Sequence, residues 1–397
     1  MNQDFFRRNR RALFDAAQVD AIAMAGNISM QRSHDASFAF EQEANFWYLT
    51  SITYPGWWLI IKKEASYLVA PDVDEVRRIF DGSLSDDEAK AISGVDVVLQ
   101  HAEGEKLIKT LKESDMSIAT IGEDPRTEQY HFGLNPGPVE MVKMLRSTFV
   151  HVKDIRQEMA KIRSIKTPEE IDMIRRAIQL TINGFETVRS NLRNYSYEYE
   201  IEADVSYQFR KQGAIGHAYD PIVAAGKNAC TLHYVKNQAA LVPGEFVLLD
   251  VGARYQGYAA DITRTYAVGK VSKRHMAVHH EVETAHHKII GLLGPGVNVK
   301  KYFQQVDEIM RAALHNLDLL REKDDYRKYF PHSVSHGLGI DVHDSLGSPE
   351  TFQPGMILTV EPGIYIPEEG IGVRIEDDIL ITQDGYENLS AALPTNM

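Results

Sequence analysis

The feature that most constrains this chain is a pair of acidic residues placed inside apolar strands. Residues 246–252 read Phe-Val-Leu-Leu-Asp-Val-Gly, a run typical of a buried strand that nevertheless contains Asp250. Folded as a hairpin about Tyr255 and Gln256, this strand places Asp250 opposite Asp261 on one face, with Cβ atoms roughly 5 Å apart. Two carboxylates this close repel each other unless a cation or a proton lies between them.

The same arrangement recurs further along the chain. Residues 357–378 form a second predicted hairpin, in which Glu361 lies opposite Glu376. Tyr365 and Arg374 have the same parity along the strands and are therefore predicted to share their face. One such pair could be a solvated hairpin face, but two pairs within about 130 residues indicate a shared function.

A stretch rich in histidine and glycine lies between the two hairpins. Residues 331–344 contain His332, His336 and His343, together with glycines that allow the backbone to approach a ligand closely. Four carboxylates and one imidazole suit two divalent ions such as Mn²⁺, Co²⁺ or Zn²⁺, whose charges balance the four acids. Two such ions can activate water and polarise a carbonyl at neutral pH, which predicts a hydrolase.

The composition narrows the classes of protein to consider. The 397 residues include 43 basic and 56 acidic side chains, a net charge of −13, whereas a protein that binds nucleic-acid phosphates needs a basic surface. Cys230 is the only cysteine, so no internal disulfide can form. No apolar run approaches the roughly 20 residues of a membrane helix, and no secretory signal is visible. We therefore expect a cytoplasmic protein without a nucleic-acid or membrane partner.

The first part of the chain alternates strand and helix patterns, which predicts an α/β domain. The predicted strands in it are residues 21–25, 46–49, 57–61, 66–69, 95–99 and 117–121. Residues 151–163 are predicted to be helical. A new helix then begins with Thr167 as N-cap, Pro168 as first helical residue and Glu170 completing a capping box. We place the boundary at residue 160, which predicts domains of residues 1–160 and 161–397.

A second histidine-rich segment, residues 275–293, predicts a helix. His275 and His279 are spaced to lie on one helical face, as metal ligands often are. Residues 280–284 of this helix read His-Glu-Val-Glu-Thr, which is not the His-Glu-x-x-His pattern of zinc proteases, so a polar helix face is the better interpretation.

Five short motifs resemble, in order, those of the pita-bread metallopeptidases, a family that includes methionine aminopeptidase, aminopeptidase P and prolidase. The motifs are Leu249-Asp250-Val251-Gly252, Ala260-Asp261-Ile262-Thr263-Arg264-Thr265, Ser335-His336-Gly337-Leu338-Gly339, Val360-Glu361-Pro362-Gly363 and Arg374-Ile375-Glu376-Asp377. The resemblance implies an α+β catalytic domain with a curved antiparallel sheet that binds two divalent metal ions. Mn²⁺ is favoured, with Zn²⁺ or Co²⁺ as alternatives. The implied metal ligands are Asp250, Asp261, His336, Glu361 and Glu376.

The resemblance also implies roles in catalysis and substrate binding. Glu361 is expected to accept a proton from the attacking water, and His343 to contact the substrate and help stabilise the tetrahedral intermediate. His332 matches a third active-site histidine, and His233 matches the histidine that lies over the substrate entrance. Tyr365 and Arg374 resemble the tyrosine and arginine that lie beside the metals in the proline-specific members, and both are expected to bind substrate.

The aminopeptidase P branch is the most similar part of the family. Phe46-Trp47-Tyr48-Leu49-Thr50 resembles its N-terminal domain, and Gly347 stands where some prolidases carry an arginine for a dipeptide's carboxylate. The implied function is release of the N-terminal residue from Xaa-Pro-peptides by a homodimer or homotetramer. A Xaa-Pro dipeptidase (prolidase) is the first alternative. A non-catalytic peptide- or protein-binding module is a remote one, because such proteins have replaced the metal ligands.

Overall fold

The computed structural model describes residues 1–122, 132–320 and 325–397. They form two compact units, Met1–Ile162 and Arg163–Met397, and the boundary predicted from the sequence is at residue 160. In the part of the chain that is described, no helix is both long and apolar enough to span a membrane.

The first unit is built on one mixed sheet. Its helices are α1 (Gln3–Ala17), α2 (Ala44–Thr50), α3 (Glu75–Asp81), α4 (Asp86–Ser93), α5 (His101–Glu113) and α6 (Pro136–Thr148). A further helix, α7 (Arg156–Ser164), crosses the boundary between the units. The strands of the unit are β1 (Ala21–Ala25), β2 (Gln31–Ser33), β3 (Ala36–Ser37), β4 (Trp58–Lys62), β5 (Ser66–Val69), β6 (Val97–Leu99), β7 (Ile118–Thr120) and β8 (Val152–Asp154).

Strand β1 lies at the centre of a six-stranded sheet with the order β6-β5-β4-β1-β7-β8. It pairs antiparallel with β4 and parallel with β7, and all five of its residues are buried. Helices α5 and α6 contribute Ile108, Leu111 and Leu145 to the apolar core against this sheet. The predicted α/β architecture is confirmed.

Two predictions for this unit are wrong. Residues 46–49 form part of helix α2, whose first turn is capped by the Glu43 carboxylate accepting from the Phe46 amide at 2.7 Å. The run is buried on all sides, and periodicity alone does not separate a buried helix from a buried strand. Residues 151–163 are not one helix, because strand β8 precedes α7. The Asp154 carboxylate accepts from the Arg156 amide at 3.0 Å, where the new helix begins.

The second unit combines long helices with short antiparallel strands. Its helices are α8 (Pro168–Asn191), α9 (Glu198–Lys211), α10 (Lys273–Ile290), α11 (Val299–Asn316) and α12 (Asp325–Tyr329), with 3₁₀ turns at Leu192–Asn194 and Gly226–Cys230. Its strands are β9 (Gly216–His217), β10 (Ile222–Ala225), β11 (Phe246–Val251), β12 (Ala253–Tyr255), β13 (Tyr258–Ala259), β14 (Ile262–Ala267), β15 (Ile357–Val360), β16 (Gly363–Ile366), β17 (Ile371–Arg374), β18 (Asp377–Ile381) and β19 (Tyr386–Asn388). The predicted capping box at the start of α8 is confirmed.

The first acidic hairpin is shifted from its predicted register. Its turn falls on Gln256 and Gly257, whose φ angles of 45° and 87° match the two left-handed residues of a type I′ turn. As a result, Asp250 pairs with Thr263 and not with Asp261, contrary to the prediction. Asp261 has the same parity as Thr263, so the two carboxylates still share one face of the hairpin.

The second acidic hairpin has the predicted register. Strand β15 pairs with β18 and β16 with β17, and both ladders continue one register across the hairpin. Glu361 and Glu376 lie at the interruption between the two ladders. A backbone bridge between Thr263 and Glu376 joins the two hairpins, and one between Gly337 and Leu358 attaches the histidine-rich segment. The three predicted segments therefore meet through their backbones.

A large apolar cluster lies behind these strands. Helix α10 contributes Val278 and Ile289, and the strands contribute Leu358 and Val373. The predicted polar face of α10 is wrong for two residues, because His279 and His286 are 2% and 0% exposed. Burial lowers the pKa of both, that of His286 to about 4, so both imidazoles are neutral members of the interior.

One arginine links the two hairpins to the C-terminal segment. Arg264, 1% exposed, donates to the Glu376 carbonyl at 2.7 Å and pairs with the Asp377 carboxylate at 2.6 Å. It also donates to the carbonyls of Leu393 and Pro394 at 2.7 and 2.9 Å. Arg264 thus fixes the backbone of Glu376 to the C-terminal segment.

We predict that Arg264→Met lowers the free energy of unfolding by about 3–5 kcal/mol, because it leaves the buried Asp377 carboxylate without its cation. The matched control is Arg175→Met, which removes a pair with Glu387 whose side chains are 41% and 43% exposed. That change should cost less than about 1 kcal/mol. Chemical denaturation of the two variants provides the measurement, and equal losses would contradict the assigned importance of Arg264.

Candidate metal centre

The predicted ligands converge in the second unit. Three sets of ligating groups occur among the described residues, and in each the offered atoms lie within 4.8 Å of one another. The sets are Asp261, His336 and His343; His336, Glu361 and Glu376; and Asp250, Asp261 and Glu376. Every residue predicted to bind a metal therefore belongs to at least one set.

The acids in this cluster are crowded and shielded from water. Asp250, Asp261 and Glu376 are 7%, 5% and 2% exposed. Burial raises the pKa of Asp250 and that of Glu376, and the charge of Asp261 raises both further. Burial also raises the pKa of Glu361, to about 7. A bound proton or metal cation would therefore stabilise this cluster of acids.

The imidazole of His336 lies beside two of these acids and can supply positive charge. Its Nδ1 lies 3.0 Å from the Gly337 carbonyl, and its Nε2 is 3.4 Å from carboxylate oxygens of both Asp261 and Glu361. Burial opposes a charge on the ring, but the hydrogen bond with Asp261 and the charge of Glu361 raise its pKa to about 9. A carbonyl that orients one ring nitrogen while the other faces the site is typical of metal-binding histidines.

Two hydroxyl groups that the sequence analysis did not assign also contact the acids. The Tyr219 hydroxyl lies 2.6 Å from one oxygen of Asp250 and 2.6 Å from one of Asp261. The Thr263 hydroxyl donates to Glu376 at 2.6 Å. Thr263 lies inside a recognised motif, whereas Tyr219 precedes the first acidic strand and carries no local signal of its position.

Arg374 and Tyr365 connect the acids to His332. Arg374 forms a short hydrogen bond with Asp250 and donates to the Tyr365 hydroxyl at 2.9 Å. That hydroxyl lies 2.9 Å from His332 Nε2, and His332 Nδ1 lies 2.7 Å from the Ser333 carbonyl. Burial is the main cause that lowers the pKa of His332 to about 3. A neutral imidazole thus donates through Nδ1 and accepts from Tyr365.

The two remaining predicted residues are exposed to solvent. His343 is exposed, and its ring centroid is 4.3 Å from that of His336. His233 is also exposed and is not a member of any metal-binding set among the described residues. It lies close enough to His332 and His343 for its charge to lower the pKa of each, in addition to the larger effect of burial.

A buried ion-pair network fixes the segment that carries His336 and His343. Asp344, directly after His343, pairs with Arg163 at 3.0 Å and with Lys166 at 3.4 Å. The Asp344 amide donates to the Gly337 carbonyl at 2.8 Å, which closes the segment into a loop. Burial alone would raise the pKa of Asp344, but the two cations hold it below its ordinary value.

The donor set fits divalent metal ions. It consists of carboxylate oxygens and an imidazole nitrogen, the ligands that Mn²⁺, Co²⁺ and Zn²⁺ accept in proteins. The acids are buried and mutually repulsive, so bound cations would relieve the repulsion. The fold and this site together define a metal-dependent hydrolase.

Comparison with known proteins identifies the family. Residues 172–383 match Metallopeptidase family M24, and residues 6–119 match the aminopeptidase P N-terminal domain. The chain is 32% identical to a Xaa-Pro aminopeptidase of Haemophilus influenzae, over 99% of this chain and 95% of the relative. It superposes on a putative aminopeptidase P from Bacillus anthracis with a TM-score of 0.89 and 30% identity, covering 99% and 96% of the two chains. Zinc-substituted Escherichia coli aminopeptidase P in complex with product gives 0.86 and 30% identity, with coverage of 100% and 96%.

The chain therefore belongs to metallopeptidase family M24 and carries an aminopeptidase P N-terminal domain. Membership confirms the predicted enzyme class and the predicted two-part fold. Among the alternatives, the non-catalytic module is not favoured, because each predicted ligand is present and lies in the cluster.

We predict that Mn²⁺ raises the unfolding temperature of the metal-free protein by about 5–10 °C, since an ion that binds only the folded state stabilises it by mass action. Glu376→Gln should lose most of this increase, because it removes one of the buried charges. Asp384→Asn, at an exposed position, is the matched control and should keep it. Differential scanning calorimetry with and without a chelator gives the measurement. Equal responses of the two variants would place metal binding elsewhere.

Proposed function

We propose that this chain is a Xaa-Pro aminopeptidase, which releases the N-terminal residue from peptides with proline at the second position. The observation that carries the proposal is the convergence of the predicted ligands in one cluster, three of whose acids are buried, in a family M24 chain. The relatives named Xaa-Pro aminopeptidase match the chain over nearly its whole length, including the N-terminal domain.

Proline explains why a dedicated enzyme is needed. The bond before proline is a tertiary amide, without an N–H to donate and with φ fixed near −65°. A binding site for ordinary peptides contains a hydrogen-bond acceptor for the N–H group of the scissile bond. With proline at that position, this acceptor would have no donor. We expect the free amine of the substrate to approach the acidic end of the site, because positive charge is favoured there.

We propose that two divalent ions are held by Asp250, Asp261, His336, Glu361 and Glu376. Mn²⁺ is the preferred candidate, with Zn²⁺ and Co²⁺ as alternatives, since these donors accept all three. When bound, such ions supply an activated water and polarise the scissile carbonyl.

The other predicted residues would act on the substrate and on protons. Glu361 would accept the proton of the attacking water, and His343, exposed beside His336, would contact the substrate and help to stabilise the tetrahedral intermediate. We assign the exposed His233 to the substrate entrance. We assign Tyr365 and Arg374 to the substrate side, with His332 acting through its hydrogen bond to Tyr365.

Three further expectations remain proposals. We propose that the chain forms a homodimer or homotetramer and is located in the cytoplasm. We also propose that residues 161–397 are the catalytic domain and residues 1–160 a separate N-terminal domain. Sedimentation of the purified chain measures the first of these directly.

The decisive test compares Ala-Pro-Ala with Ala-Pro in the presence of Mn²⁺. We expect alanine to be released from the tripeptide, and Asp261→Asn to lower kcat/KM by about two orders of magnitude or more while the fold survives. Asp384→Asn serves again as the surface control and should be unchanged. Turnover of Ala-Pro alone would favour a dipeptidase. No turnover of either peptide by metal-loaded protein would favour a binding module.

A further inference from the structure

We propose that Glu198 is a positioning residue for substrate binding, which holds the loop that carries His233. The loop consists of residues 225–239 and includes the 3₁₀ turn Gly226–Cys230. This inference rests on the proposed function, because its main readout is the KM of a Xaa-Pro-peptide.

Glu198 is the first residue of α9 and is 0% exposed. One oxygen of its carboxylate, Oε1, accepts from the Ala225 amide at 2.7 Å and from the Asn228 side chain at 3.0 Å. These contacts fix the start of the loop. The carboxylate therefore reaches out of its helix to a segment about 30 residues away in sequence.

The other oxygen, Oε2, holds the far side of the loop. It accepts from the Tyr234 hydroxyl at 2.9 Å and from the Ala239 amide at 2.8 Å. The backbone adds a return contact, in which the Glu198 amide donates to the Ala239 carbonyl at 3.0 Å. One carboxylate thus joins both ends of the loop and its middle.

Only an ionised carboxylate can serve all four donors. Both of its oxygens accept, and neither carries a proton, whereas an amide offers one acceptor and one donor of similar size. Two of the four donors are backbone amides at opposite ends of the loop. Replacement by glutamine would set an N–H group against another N–H group at one of those ends.

The effect should reach His233 through its neighbour Tyr234. The His233 side chain is exposed, so its position depends on the backbone of the loop and on the adjacent Tyr234 hydroxyl. Loosening that anchor would move His233 without touching the metal-binding cluster.

The loop has a second anchor, so the loss of Glu198 need not unfold it. Asn237, 1% exposed, accepts from the Val223 amide at 2.9 Å and donates to Glu202 at 2.9 Å. A Glu198 variant should therefore fold with a mobile but attached loop.

The test is Glu198→Gln with Ala-Pro-Ala as substrate and Mn²⁺ as metal. We expect KM to rise about tenfold, with kcat changed less than about twofold, because a hydrogen bond to a charged group is lost while the chemistry is untouched. Mn²⁺ affinity, measured by calorimetry, should stay within about twofold of wild type. Tyr234→Phe removes a single contact to Glu198 and should raise KM by about two- to threefold.

Glu200→Gln is the matched control on the same helix. The amides of Ser196 and Tyr197 both donate to one oxygen of the Glu200 carboxylate, so glutamine keeps that acceptor and removes only the negative charge at the start of α9, without releasing the loop. We expect this variant to lose little stability and to keep its KM. An equal KM increase in both variants would overturn the proposal.

A double-mutant cycle separates positioning from general damage. In a His233→Ala background, Glu198→Gln should add little to KM, because the residue that it positions is absent. Additive effects would contradict the assigned route through His233.

A wild-type protein that does not cleave Ala-Pro-Ala would remove the proposed function but would leave the role of Glu198 testable. Hydrogen exchange of the amides of residues 225–239 should then be faster in Glu198→Gln than in Glu200→Gln. Unchanged exchange would overturn the assignment of Glu198 by itself.

Discussion

Repulsion among buried acids is the constraint on which this structure depends. Asp250, Asp261 and Glu376 are shielded from water within reach of one another, and an isolated charge in such a place would be strongly unfavourable. Burial and the charge of Asp261 raise the pKa values of Asp250 and Glu376, and neighbouring acids raise that of His336, so the crowding favours bound positive charge at this site. A divalent cation carries twice the charge of a proton and therefore offsets more of the repulsion between the carboxylates.

The rest of the second unit holds that unfavourable cluster in place. Two hairpins are joined by the bridge between Thr263 and Glu376, and Arg264 ties the same region to the C-terminal segment. The ion pairs of Asp344 fix the loop that carries two histidines, and the Glu198 carboxylate fixes the loop that carries a third. Fixed partners of this kind keep ligands oriented, which is the usual role of groups around a metal site.

The acidic residues of the two hairpins were easier to predict from the sequence than the residues that pack around them. Alternation along two acidic strands was sufficient to place Glu361 opposite Glu376, because the second hairpin keeps one register throughout. In the first hairpin, the left-handed pair Gln256-Gly257 moved the turn by one residue, and parity alone preserved the shared face. Tyr219 could not be predicted, because its contacts join residues that no local pattern relates. The burial of His286 depends likewise on tertiary packing of α10.

The most direct measurement is a crystal structure of the chain grown with excess Mn²⁺, with anomalous scattering to locate the metal. We expect two manganese peaks bound by Asp250, Asp261, His336, Glu361 and Glu376, with the carboxylates directed at them. A cluster without manganese, or acids turned outward to solvent while the rest of the fold is preserved, would contradict it.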